Sequence, residues 1–145
     1  MVREMTQGDK DVFLAMAEVF YSSKAVAHGI DSHIIKTTFD TAMNKPHLLQ
    51  AFIIEDNDKP VGFALVSFYY ATEVGGLVVL IEDLYLDETC RGKGLGSKFM
   101  RFVEVEYPEA KRFHLEVAKE NTRAIDLYKK LGYEELEYVQ MVKNC

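Results

Sequence analysis

The chain has 145 residues and a mass of 16.6 kDa, with 48% hydrophobic and 28% charged side chains. That suits one domain, residues 1–145, with a real core, and is too apolar for a disordered chain. A net charge of −6 argues against nonspecific nucleic-acid binding, which needs clustered Lys and Arg, and no apolar run approaches the ~20 residues a membrane span requires. Two cysteines, Cys90 and Cys145, make no disulfide framework and, without an N-terminal apolar signal region, lead to the expectation of a reducing cytoplasm. No nucleic-acid or membrane partner is expected.

In chain order, residues 2–5 read as a short strand. Val12, Phe13, Met16, Ala17 and Phe20 then recur at helical spacing over 11–21. The pattern is lost over 22–33 and returns as a helix over 34–43, stopped by Asn44-Lys45-Pro46. Residues 48–55, 61–71 and 77–86 read as three consecutive strands, the first two joined by the turn-forming run Asp56-Asn57-Asp58-Lys59-Pro60. Leu95, Phe99, Phe102, Val103 and Tyr107 mark an amphipathic helix that closes before Pro108. A strand over 113–117 and a helix over 121–131 follow, with Asn121 at the N-cap and Gly132 just past the end. Residues 133–142 are rich in strand formers. This order predicts a mixed sheet with helices on both faces.

The sharpest chemical signal is Leu84-Tyr85-Leu86-Asp87-Glu88-Thr89-Cys90-Arg91-Gly92-Lys93-Gly94-Leu95-Gly96-Ser97. A strand runs into a polar turn, then three alternate glycines, then a helix. Glycines let backbone N–H groups approach a ligand closely, and the first-turn amides of a helix have no internal partners. With the helix dipole and the charges of Arg91 and Lys93, this is an anion site suited to phosphate. Neither Gly-x-x-x-x-Gly-Lys-Ser/Thr nor Gly-x-Gly-x-x-Gly is present; the position after Gly92 and Gly94 that would need a third glycine is Ser97.

Arg91-Gly92-Lys93-Gly94-Leu95-Gly96 resembles the Arg/Gln-x-x-Gly-x-Gly/Ala pyrophosphate loop of the GNAT superfamily of N-acetyltransferases. About 25 residues downstream, the segment from Asn121 through Tyr128 to Gly132-Tyr133 resembles that superfamily's second signature, an Asn followed by a helix ending in Tyr-x-x-x-Gly-Phe/Tyr. The resemblance is close from Ile81 to Tyr133. It implies a mixed α/β fold: a central, mostly antiparallel sheet of six to seven strands flanked by about four helices. It also implies that acetyl-CoA is the co-substrate and that no metal takes part.

By the same resemblance, the backbone of Leu84, Tyr85 and Leu86 would pair with the pantetheine arm, and the stretch Arg91, Gly92, Lys93, Gly94, Leu95, Gly96 and Ser97 would take the pyrophosphate. Asn121 would contact the cofactor arm; a plain N-cap is the alternative, and both roles can hold together. Tyr128 matches the tyrosine that protonates the leaving thiolate; a tyrosine packed on its helix is the plainer alternative. Glu82-Asp83-Leu84-Tyr85 resembles the Glu-Asp-aromatic-aromatic segment of the diamine acetyltransferase branch, with Leu84 departing at the first aromatic position. There the glutamate is the base. Neighbouring strand residues point to opposite faces unless a bulge intervenes, and an acid among apolar neighbours is desolvated, which would raise the pKa of Glu82 toward a useful range. Asp83 reads as structural or as facing a helix. Cys90 lies in the turn, away from the acyl carbon.

Phe20, Tyr21, Tyr69 and the irregular stretch 22–33 are the expected acceptor side. The reading is direct transfer of acetyl from acetyl-CoA to a primary amine of a small molecule, polyamine-like or amino-acid-like. Acetylation of protein or peptide N-termini, and a non-catalytic acyl-CoA-binding module, are the alternatives. Partner strands over 133–142 lead to the expectation of a homodimer. His28 and His33 lack the Cys or Asp neighbours of a metal site and read as ordinary loop residues.

Overall fold

Five strands pair in the order in which they occur in the chain, in a computed structural model that describes residues 1–26 and 28–145. They are β1 (Val2–Glu4), β2 (Leu49–Asp56), β3 (Lys59–Ala71), β4 (Gly76–Leu86) and β5 (Arg112–Leu115). The helices are α1 (Lys10–Tyr21), α2 (Ser32–Asn44), α3 (Leu95–Glu106) and α4 (Thr122–Lys130). Strands β1 to β4 are antiparallel. Strand β5 runs parallel to β4, because α3 carries the chain back along the sheet. The turn between β2 and β3 has Asn57 and Asp58 at φ 51° and 62°, the left-handed pair that a two-residue hairpin matching strand twist requires.

Alternation of side chains sends successive strand residues into two cores. Ile53, Phe63, Leu65 and Tyr85 pack against Phe13 and Phe20 of α1 and Ile35 and Phe39 of α2. Phe52, Ile54, Val66, Val79 and Ile81 pack against Leu95, Phe99, Met100 and Val103 of α3. Strand β2 is therefore apolar on both sides, which explains its near-continuous run of hydrophobic residues. Burial on this scale, at about 25 cal/mol per Å² of apolar surface, is the main stabilising term of the domain. A charged cluster pins β1 at one edge. Arg3 donates to both oxygens of Asp9 at 2.9 Å and, through Nε, to Glu55 at 2.7 Å.

The expected six to seven strands are five. Residues 133–145 form no strand; Tyr133 packs half-buried against the core under α3, and the apolar side chains beyond it are exposed, Val139 to 87% and Met141 to 90%. Strand propensity alone does not make a strand: without a partner, the backbone groups of such a segment are better left to water. The stretch expected to be irregular, 22–33, is shorter, because α2 begins at Ser32. Within it residue 27 lies outside the described residues. No helix is long and apolar enough to cross a membrane among the described residues.

Candidate active site

The site is built where β4 and β5 part. Their pairing begins at Val78↔Arg112 and ends at Ile81↔Leu115, while β4 runs on to Leu86. On its other side β4 stays paired with β3 as far as Gly62↔Leu86. The edge of β4 from Glu82 to Leu86 thus faces a widening gap with backbone groups that no strand satisfies. That edge offers a ladder to an extended, amide-bearing ligand. It contains Leu84, Tyr85 and Leu86, the three residues expected to hold the pantetheine arm.

The same strand carries a bulge. Leu65 pairs with Asp83 and Val66 with Ile81, which leaves Glu82 as the extra residue. Ile81 and Leu84 pack into the core under α3, and Tyr85 into the core under α1. Glu82 accepts a 2.7 Å hydrogen bond from Ser67 Oγ, and Asp83 accepts a 2.5 Å bond from Tyr21 Oη at the end of α1. The bulge therefore places two consecutive carboxylates toward one face of the sheet, where simple alternation would have divided them.

Their environments differ, and one expectation changes with them. The desolvated acid is Asp83, not Glu82. Burial pushes the Asp83 carboxyl up to about 6, with the Tyr21 hydrogen bond working against the rise and the charge of Glu82 adding to it. Glu82 is exposed, because the bulge turns it out of the strand's apolar pattern toward solvent. Asp83 faces α1, and its partner Tyr21 is held un-ionised by burial and by Asp83 itself.

Glu82, Asp83 and Leu84 line one wall of a cleft whose other wall is Leu115, Glu116 and Val117 at the end of β5 and Asn121 and Tyr128 of α4, with Phe20 and Ala25 closing one end. Tyr128 lies in the helix that Asn121 caps: Asn121 Oδ1 accepts from the amide of Ala124 at 3.4 Å. Burial raises the pKa of the Tyr128 phenol, so it enters a reaction carrying its proton. The cleft thus joins both expected catalytic residues, Glu82 and Tyr128.

The glycine loop follows the end of β4 and leads into α3. Gly92 and Gly94 have φ of 83° and 76°, the left-handed region that side chains avoid. Helix α3 starts without a side-chain cap, and its first backbone bond runs from Lys98 to Gly94. The amides of Leu95, Gly96 and Ser97 have no protein acceptor among the described residues. Leu95 and Gly96 are buried, while residues 91–94 are exposed. These free amides, at the positive end of a twelve-residue helix, fit a pyrophosphate group.

The cations expected there are partly engaged elsewhere. Arg91 Nε donates to the carbonyl of Leu86 at 3.1 Å, and Lys93 Nζ pairs with Asp56 at 3.0 Å. A cation that sequence reasoning missed, Arg123, reaches the loop: its Nη2 stands 3.5 Å from where a Cβ of Gly92 would be. Its place in the first turn of α4, just after the capping Asn121, was the available signal.

Among the acceptor-side residues, Phe20 is a core residue whose ring also borders the cleft. Tyr21 is bonded to Asp83, and Tyr69 is exposed, bonded to His114 at 2.7 Å. Cys90 is buried beneath the loop, away from the cleft lining. No cluster of His, Cys, Asp and Glu able to hold a metal occurs among the described residues.

Residues 13–133 match the model of the Acetyltransferase (GNAT) family. This chain belongs to the GNAT acetyltransferases. The family uses acetyl-CoA as acyl donor, so the chain is an acetyl-CoA-dependent acetyltransferase. It is 31% identical to a thialysine N-epsilon-acetyltransferase of Sus scrofa, over 94% of this chain and 85% of that one. A spermine/spermidine N(1)-acetyltransferase of Bacillus subtilis is 30% identical over 51% of this chain, which spans 52% of that relative's length. An aminoglycoside N-acetyltransferase solved in complex with CoA superimposes with a TM-score of 0.82 at 18% identity, covering 99% of this chain and 93% of its own; at that identity the likeness is one of fold. The expected mixed α/β architecture is the one observed, with the strand count corrected.

Proposed function

We propose that the chain, acting as a single domain, transfers the acetyl group of acetyl-CoA directly to a primary amine of a small molecule. The observation that carries this reading is the meeting of Glu82 and Tyr128 on one cleft beside the open β4 edge, with the free amides past Gly94 following where that strand ends. The Leu84–Leu86 edge binds the pantetheine amides. The stretch from Arg91 through Gly92, Lys93, Gly94, Leu95 and Gly96 to Ser97 holds the pyrophosphate, with Arg123 added. Asn121 caps α4 and borders the arm.

Acetyl-CoA supplies an acetyl carbonyl activated as a thioester. A backbone amide near Leu84 polarises the carbonyl oxygen. Glu82 accepts the proton of the acceptor ammonium, directly or through a water, and leaves the free amine that direct attack requires. Tyr128 donates its proton to the departing sulfur and is reprotonated by the second proton that the acylated nitrogen sheds, which leaves a neutral amide and a free thiol. A thiolate, with an ordinary pKa near 8.5, needs only modest help to leave. Cys90 plays no part, so no acyl-enzyme forms.

The acceptor is cationic, polyamine-like or amino-acid-like. Two carboxylates brought to one face make a local negative field that raises the concentration of an ammonium there. The names of the relatives, thialysine and spermine/spermidine acetyltransferases, agree with an amine of this kind. Phe20, Tyr21 and Tyr69 border its path. The protein works in the cytoplasm as a homodimer, in which a second copy covers the exposed Leu136, Tyr138, Val139, Met141 and Val142. Light scattering on the purified chain at several concentrations tests the dimer; a monomer mass throughout would overturn it.

Incubating the chain with acetyl-CoA and a panel of primary amines, and reading the release of free thiol, tests the activity. Turnover with at least one small cationic amine is expected. Coenzyme A binding without turnover on any amine or peptide would make the chain a binding module instead.

A further inference from the structure

On the sheet face that carries Glu82, a polar pair bridges β4. Tyr69 of β3 and His114 of β5 are separated by a whole strand, yet Tyr69 Oη lies 2.7 Å from His114 Nδ1, and their rings meet edge-on with centroids 6.1 Å apart. The register fixes where this bridge stands. Ser67, Leu80 and His114 form one row across β3, β4 and β5, and Glu82 is the next residue of β4 toward this face. Ser67 is the residue that donates to Glu82.

Helices α1 and α2 cover this face over Phe63 and Leu65, which are buried, but not further along. Ser67, Leu80 and His114 are half-buried and Tyr69 is exposed. One ring nitrogen of His114 is committed to Tyr69; the other, Nε2, has no protein partner among the described residues. Two residues of strand rise and one step between strands put the backbone of His114 about 8 Å from that of Glu82. The floor between them is the side chain of Leu80.

We propose that the Tyr69–His114 pair docks the far polar end of the acceptor, whose carbon stem lies over Leu80. This rests on the reading of Glu82 as the group that meets the reacting nitrogen. Tyr69 fixes the ring, so His114 Nε2 stands as a ready hydrogen-bonding atom at a set distance from the chemistry. The apolar floor rewards a carbon stem and excludes polar groups from its middle. Acceptors are thus chosen by length: a short amine reacts without touching the pair, and a longer one gains a second anchor.

The test uses the full chain and two series of acceptors, straight diamines from ethylenediamine to hexamethylenediamine and monoamines of matching length. In the parent protein the ratio of kcat/KM for a diamine over its matched monoamine rises with length. One hydrogen bond is worth about 0.5–1.5 kcal/mol, so His114→Phe and Tyr69→Phe should each cut that ratio about two- to tenfold for the long diamines, chiefly through KM. Melting temperatures check that each variant is folded. Tyr69→Phe removes a single exposed hydroxyl and carries the test should His114→Phe not fold. A ratio that does not change in the folded variants, or does not grow with length in the parent, overturns the proposal and leaves the acetyltransferase reading intact. A parent chain that acetylates no amine overturns both.

Discussion

Tyr21 Oη donates a 2.5 Å hydrogen bond to Asp83 Oδ2, and this contact ties the last turn of α1 to the bulged stretch of β4. It joins two residues 62 positions apart and holds Asp83, which lines the cleft beside Glu82. The bond helps a carboxylate that burial penalises, and the net result is an Asp83 pKa near 6 against an ordinary 3.8. The folded state therefore binds a proton that the unfolded state has already lost between those values. Stability falls as pH rises from about 4 to 6, and the cost is fully present above 6.

Asp83→Asn removes that cost while keeping an oxygen for Tyr21. It should raise stability by about 1–3 kcal/mol at pH 7.5, with the gain disappearing below about pH 4. Urea unfolding of the two proteins across pH checks this. A variant less stable than the parent at pH 7.5, or a pH-independent difference, would show that the charged pair is net favourable.

Glu82 and Asp83 also separate by function. Glu82 is exposed and bordered by Ser67, so its loss should barely touch folding. Glu82→Gln should lower kcat/KM about 10²- to 10⁴-fold, the usual worth of a positioned base. The deficit should be largest at low pH, where free amine is scarcest, and shrink as pH approaches the amine's own pKa. A parallel pH–rate profile with an unchanged slope would take the base role away from Glu82.

Most of the strands and all four helices were legible because each has a clean period: Phe13, Ala17 and Phe20 at helical spacing, Phe52 and Ile54 against Ile53 at strand spacing. The anion loop was legible because glycine repeats are rare without a backbone reason, and Gly92 and Gly94 have that reason in their left-handed φ. The bulge was not. Nothing in Val78-Val79-Leu80-Ile81-Glu82-Asp83-Leu84 says which residue will be the extra one, since that depends on pairing with β3. With no bulge placed, the sequence neighbours pointed to Glu82 as the desolvated acid, where the structure has Asp83. The Tyr69–His114 bridge was equally hidden, because residues 45 apart become neighbours only through register. The segment 133–142 was misread for the opposite reason: composition reports what a chain would do with a partner.

Gly94 is exposed, with φ of 76° and nothing near its missing side chain, so the loop has room for substitution but not the right backbone. Gly94→Asp places both left-handed strain and a negative charge at the first turn of α3, where a pyrophosphate is to sit. Coenzyme A affinity should fall about tenfold or more by calorimetry, with thermal stability lowered by about 1 kcal/mol or less. Gly94→Asn, which tolerates this backbone better and carries no charge, should lose distinctly less. Equal affinity in all three proteins would remove the loop from the phosphate site.

Gly62 faces the opposite constraint. It pairs with Leu86 in the strand register, and a Cβ there would collide with the carbonyl oxygen of Tyr85 and stand 2.8 Å from Leu86 Cδ2. The obstacle is the backbone of the very residues whose free edge is to receive the pantetheine arm, so relief requires β4 to move. Gly62→Ala should cost about 1–3 kcal/mol and lower the melting temperature by roughly 3–10 °C. Because the shift falls on Tyr85 and Leu86, the KM for acetyl-CoA should also rise. Gly29→Ala, at a position with open space around it, is the matched comparison and should be nearly silent in both measurements. A Gly62→Ala protein with lowered stability but an unaltered KM for acetyl-CoA would separate the packing of β3 on β4 from cofactor binding, and would argue against the Leu84–Leu86 edge as the strand that holds the arm.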